Sequence, residues 1–168
     1  MIIIVFGLPG TGKSFFARHF AEETGADYLN TDIVRDEMDK QGQYDEKTNI
    51  LIYEQLLRKM NPGALGGRDV IVDGTFQKES YREMFRRRSA WLNLDIIFIE
   101  MRASDETVKK RMEKERKYSE ADYEVYLKIK NRFEAMAEEH TVMRSDMLSM
   151  DEMIKKTKAI QDEKRTGK

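Results

Sequence analysis

Residues 2–14 constrain this chain more than any other stretch. Ile2-Ile3-Ile4-Val5-Phe6 is an unbroken run of β-branched and aromatic side chains, which reads as a strand buried on both faces. It runs directly into Gly7-Leu8-Pro9-Gly10-Thr11-Gly12-Lys13-Ser14, the spacing G-x-x-x-x-G-K-S of a phosphate-binding loop. Gly10, Thr11 and Gly12 turn backbone N–H groups inward toward an anion, and the following helix, with Phe15 in its first turn, adds the positive end of its dipole. Lys13 supplies an ammonium for the β- and γ-phosphates, and the Ser14 hydroxyl is a Mg²⁺ ligand. The expected cofactors are therefore ATP and Mg²⁺. The loop by itself implies binding of a nucleoside triphosphate and leaves its fate open.

The rest of the chain alternates strands and helices. Residues 27–30, 70–73, 94–101 and 141–143 read as further strands. Helices are expected from Lys13 to a C-cap at Gly25, from Thr31 or Asp32 to Gly42, over 46–60, 78–91 and 105–117, from about 120 to 139, and from a capping box at Ser149 and Glu152. Phe15, Phe16 and Phe20 are expected in the core, as are Ile33, Val34 and Met38, and Ile50, Ile52, Tyr53, Leu56 and Leu57. Asn61-Pro62-Gly63 reads as a turn. Such alternation implies a three-layer α/β fold of the P-loop NTPase type: a five-stranded parallel sheet, helices on both faces and a small helical lid. With 168 residues and no linker, the chain is one domain, residues 1–168. A net charge of −1 gives no global pull toward nucleic acid, and the absence of cysteine excludes disulfides and thiolate-held metals. The apolar start is too short for a signal peptide or membrane span, so a cytoplasmic protein without membrane attachment, monomer or homodimer, is expected.

Ligands of such sheets bind at the carboxyl ends of the strands. That rule selects Asp32 and Arg35 after the second strand, Asp73 and Thr75 after the third, and Arg102 after the fourth. A carboxylate near the γ-phosphate can take a proton from an attacking hydroxyl, which suits Asp32. An arginine three residues on can fork onto a substrate phosphate, which suits Arg35. Asp73, ending an apolar strand, is placed for a Mg²⁺ ion, and Thr75 for the acceptor. Residues 104–122 form a basic helical hairpin, the composition of a lid, in which Arg111 and Arg116 are the candidates for phosphate contact. Residues 31–67 are the acceptor-binding region. Arg82, Arg86, Arg87 and Arg88, interleaved with Tyr81 and Phe85, read as a solvated helix face over core aromatics, or as a landing strip for a nucleic-acid end. His19 lacks a His or Cys companion and reads as a packed or surface residue.

With these residues in view, the chain resembles the P-loop kinases that include the kinase domain of polynucleotide kinases, the zeta-toxin-like kinases and the gluconate- and shikimate-type kinases, and predicted kinases related to adenylate kinase. The likeness is carried by Gly7 to Ser14, by Asp32-Ile33-Val34-Arg35, by Val72-Asp73-Gly74-Thr75 and by the region through Ser119 to Tyr126, within residues 2–145. It implies an enzyme moving a phosphoryl group to a hydroxyl-bearing acceptor, a small molecule or a polynucleotide 5′ end. In it Asp32 is the base, Arg35 the substrate clamp, and Lys13 and Arg116 act on the transferring group. Those kinases read Asp-x-Thr-Asn where this chain has Asp73-Gly74-Thr75-Phe76. A nucleoside monophosphate kinase is the alternative enzyme, and a non-catalytic nucleotide-binding module the alternative outside enzymes. A GTPase switch would need Asn-Lys-x-Asp, and Lys130-Asn131 lacks the aspartate.

Overall fold

The structure, a computed structural model, describes residues 1–114 and 120–167. Five parallel strands stand in the order β2-β3-β1-β4-β5: β1 is Ile2–Phe6, β2 Asp27–Asn30, β3 Val70–Asp73, β4 Ile96–Arg102 and β5 Thr141–Arg144. The register pairs Val5 and Asn30 with Asp73, and Phe6 with Glu100. The loops that leave these strands therefore open on one edge, with the β1 loop central.

Alternation along β1 explains the layers. Ile2, Ile4 and Phe6 face one core, packed by α2 (Thr31–Glu37), α3 (Glu46–Leu65) and α4 (Glu79–Trp91). Ile3 and Val5 face the other, packed by α1 (Lys13–Thr24) and α7 (Met150–Thr166). Both faces of β1 are apolar because both are covered. The remaining helices, α5 (Asp105–Lys114) and α6 (Glu120–Arg132), follow β4.

Several expectations are corrected. Phe15 is 65% exposed, and Ile33 and Ile50 also face outward; Phe16, Phe20, Val34 and Ile52 carry the packing. Helix α3 does not stop at Pro62 but runs to Leu65. Pro62 removes one intrahelical bond, but Met60 and Ala64 are buried one turn apart and hold the last turn on the core. Helix α6 ends at Arg132, not near Glu139. The chain leaves it because Phe133 stacks on Phe6, Glu134 donates its N–H to the Gln77 carbonyl at 2.9 Å, and Arg82 donates to the Glu134 carbonyl at 2.8 Å. These long-range partners outbid one more helical turn. Among the described residues, no helix is long and apolar enough to cross a membrane.

Candidate active site

The loop after β1 is built on close approach. A Cβ at Gly7 would lie 2.4 Å from the Met101 carbonyl oxygen of β4, so only glycine fits there. Gly12, with φ +87°, takes the left-handed turn that starts α1. The Thr11 hydroxyl donates to the Leu8 carbonyl at 2.7 Å and is buried, so Thr11 braces the loop and offers a ligand its backbone. Lys13 donates from Nζ to the same carbonyl at 2.9 Å. Burial pushes the Lys13 pKa down, against the opposing pull of the Asp73 and Asp32 carboxylates. The lysine charge is thus held in a partly dry cleft with no carboxylate in contact among the described residues, which favours an incoming polyanion. Ser14 lies beside it in the first turn of α1. The Phe15 ring points outward and packs at a tilt against His19, centroids 4.4 Å apart.

Asp73 ends β3 fully buried. Its Oδ2 accepts from the Tyr28 hydroxyl at 2.8 Å and from the Asn30 amide at 2.6 Å, while its Oδ1 is buried without a partner among the described residues. An unsatisfied buried carboxylate oxygen is costly unless a cation or its water meets it. With the Ser14 hydroxyl, this donor chemistry fits Mg²⁺, which prefers one or two protein oxygens plus phosphate and water. No cluster of three or more His, Cys, Asp or Glu that could hold a metal ion occurs among the described residues. Burial and Asp73 together raise the Tyr28 pKa to about 12, so Tyr28 is a permanent donor.

Arg111 of α5 reaches the backbone of the loop. Its Nη1 donates to the Gly10 carbonyl at 3.1 Å and to Ser145 Oγ at 2.9 Å, and its Nη2 to the Ser145 carbonyl at 3.1 Å. Ser145, directly after β5, donates in turn to the Thr11 carbonyl at 2.7 Å. Ser145 belongs to no motif, but the strand-end rule applied to the fifth strand points to it. Between α5 and α6, Asp105 accepts from the Tyr126 hydroxyl at 2.8 Å and from Lys130 at 2.5 Å. Arg102 forks onto Glu100 rather than facing the loop. Arg116 lies outside the described residues.

On the acceptor side, Asp32 is exposed in the first turn of α2; its backbone N–H donates to Asn30 Oδ1, and its carboxylate makes no hydrogen bond or ion pair among the described residues. Arg35 does not share that exposure. It is buried, its guanidinium bonded to the Gln43 carbonyl and to Asn49 Oδ1 at 2.8 Å, with its plane 4.6 Å from the Tyr44 ring centre. In this structure it organises the α2–α3 connection. Thr75 is partly buried, its carbonyl accepting from Gly7 N–H at 3.4 Å. Phe76 is fully buried at φ +47°. Its N–H donates to the Tyr53 hydroxyl at 2.9 Å and its carbonyl accepts from Arg82 at 3.0 Å, so both ends of the strained residue are pinned.

The Arg82–Arg88 cluster is not a free cationic face. Arg82 is fully buried, Arg86 pairs with Glu79, Glu83 and Glu138, Arg87 pairs with Glu83, and Arg88 lies over Trp91. The aromatics are core; Arg82 and Arg86 are held by partners within the chain, while Arg87 stays exposed beside Glu83.

Loop, buried strand-end carboxylate and parallel order together define a P-loop nucleotide-binding domain with the fold of P-loop kinases. The chain belongs to the AAA_33 family, described as an AAA domain, whose model matches residues 2–140. An uncharacterized protein of Mycobacterium tuberculosis is 34% identical over 101 residues, which cover 53% of this chain and 20% of that protein. The match thus spans about one fifth of the length of that relative. The fold is shared with solved structures of a sugar kinase from Janibacter (TM-score 0.74, 19% identity, 96% of this chain and 94% of that one). It is shared also with a gluconokinase from Sinorhizobium meliloti (0.69, 16%, 91% and 86%). The same holds for the Mycobacterium tuberculosis APS kinase CysC in complex with AMPPNP and APS (0.74, 15%, 96% and 96%).

Proposed function

We propose that this chain is an ATP- and Mg²⁺-dependent phosphotransferase that moves the γ-phosphoryl group to the hydroxyl of a small molecule. The observation that carries this reading is the exposed Asp32 carboxylate, without a partner among the described residues, at the start of α2 on the strand-end edge that also carries the phosphate loop. Such a group is placed to accept the proton of an attacking hydroxyl; facing a nucleoside monophosphate it would repel. A monophosphate kinase needs free arginines on that wall, and Arg35 is engaged with Gln43, Asn49 and Tyr44. The internal pairing of Arg82, Arg86 and Arg87 argues for a small acceptor over a polynucleotide end. The fold neighbours named as sugar kinase and gluconokinase support the same class.

In this mechanism the backbone of Gly10, Thr11 and Gly12 cradles the triphosphate while Lys13 leaves Leu8 for the phosphates. Ser14 and Asp73 hold Mg²⁺, whose chemistry when bound is to neutralise charge on the phosphate oxygens. Asp32 takes the acceptor proton. Thr75 lines the acceptor site, and Arg35 keeps the 31–67 region in shape around it. Arg111, bonded to the Gly10 carbonyl, supplies positive charge at the loop, and the second lid candidate, Arg116, lies outside the described residues. The test is Asp32→Asn: transfer should fall about 10²-fold or more, as for loss of a general base, with ATP affinity nearly unchanged. Wild-type turnover in that variant would remove Asp32 from the mechanism.

A further inference from the structure

We infer that Asn30 is a positioning residue that locks the cation-binding carboxylate and the base-bearing helix into one geometry; the inference rests on the phosphotransferase reading. Asn30 is the last residue of β2 and is 4% exposed. Its amide nitrogen donates to Asp73 Oδ2 at 2.6 Å. Its carbonyl oxygen accepts from the backbone N–H of Asp32 at 2.7 Å and of Ile33 at 3.1 Å. The orientation is fixed by chemistry: two helix N–H groups require an acceptor and a carboxylate requires a donor, so the amide cannot be turned over. One planar group therefore ties Asp73 to the first turn of α2, where Asp32 stands.

The same contact selects an oxygen. Tyr28 also donates to Oδ2. With two donors on Oδ2, the oxygen left for Mg²⁺ or its water is Oδ1, buried and without a partner among the described residues. A freely turning Asp73 would offer either oxygen at varying angles. The plain alternative is that Asn30 is only a helix cap. Serine and aspartate cap comparably, but serine has its donor and acceptor on one atom and cannot span both partners, while aspartate has no donor. These two substitutions therefore separate capping from coupling.

The experiment uses the full chain and AMPPNP as probe, with calorimetric titration across Mg²⁺ concentrations. Asn30→Ser should stay folded with a thermal midpoint within a few degrees of wild type, and bind AMPPNP without Mg²⁺ as wild type does. Its Mg²⁺ requirement should rise roughly 10-fold, the scale of losing a partner that orients a metal ligand. Asn30→Asp should lose more, since it puts a carboxylate against Asp73, and Tyr28→Phe less, since one donor remains. A wild-type Mg²⁺ dependence in Asn30→Ser, with or without lowered thermal stability, would reduce Asn30 to a cap and overturn the inference. If wild-type protein itself bound AMPPNP with no Mg²⁺ dependence, the parent reading would fail before any variant is compared.

Discussion

Replacing Arg82 by methionine tests the internal role of the basic cluster. Methionine keeps the apolar stem and most of the volume, so little cavity is made. What is lost is specific. The Phe76 and Glu134 carbonyls lose donors at 3.0 and 2.8 Å, and the guanidinium leaves the faces of Phe6 and Phe133, 5.7 and 5.9 Å away. Two stranded carbonyls cost about 1–3 kcal/mol each, and the two ring contacts about 0.5–2 kcal/mol together. Against this, a buried cation is relieved; burial already pushes the Arg82 pKa down. The net expectation is a loss of about 2–5 kcal/mol. At about 2–4 °C per kcal/mol for a domain of this size, the thermal midpoint should drop roughly 5–15 °C. Urea unfolding followed by circular dichroism should show the lower midpoint with an unchanged slope. A midpoint within 1 °C of wild type would refute the reasoning. So would an intact fold with weakened oligonucleotide binding, because Arg82 would then be a nucleic-acid contact.

Lys13→Met should leave the ligand-free protein at least as heat-stable as wild type while cutting nucleotide affinity and transfer at least 10²-fold. The sign follows from the lowered pKa: the buried charge costs stability in full below the folded-state pKa, and the cost fades as pH rises through that pKa toward the ordinary lysine value. A drop of several degrees in a neutral-pH melt would contradict it. Arg111→Ala removes the bonds to Gly10 and Ser145 and should weaken ATP binding about 10-fold by calorimetry with little change in melting; an effect on melting alone would make Arg111 structural. Phe76→Asn suits the left-handed backbone, yet it empties a packed position beside Tyr53 and Phe85. We expect about 2–4 kcal/mol of destabilisation in urea, and a gain would show that strain outweighs packing there.

The strands and the phosphate loop were legible because local spacing encodes them: an unbroken apolar run can be buried only on both faces, and Gly7 to Ser14 leave few backbone choices. Asp73, Arg111 and Asp32 followed from the strand-end rule and from charge. The rest depends on partners distant in sequence. Arg35 reads as a free clamp until Gln43, Tyr44 and Asn49 fold over it, and Arg82 reads as solvated until the segment after α6 supplies carbonyls. Helical periodicity continues through Phe133 in the sequence, but Phe6 and Gln77 draw that residue and Glu134 out of the helix. Ser145 and Asn30 bear no motif because their value lies in what they bridge. Pro62 ended a helix on paper but not in the core, where Met60 and Ala64 decide.

The central claim is transfer to a hydroxyl. The most direct measurement incubates the protein with γ-labelled ATP and Mg²⁺ against nucleosides, sugars, sugar acids, the four nucleoside monophosphates, and 5′-hydroxyl RNA and DNA oligonucleotides. The account predicts label on a neutral or sugar-like small molecule, abolished in Lys13→Met and reduced about 10²-fold in Asp32→Asn. Label on a nucleoside monophosphate, undiminished in Asp32→Asn, would contradict it.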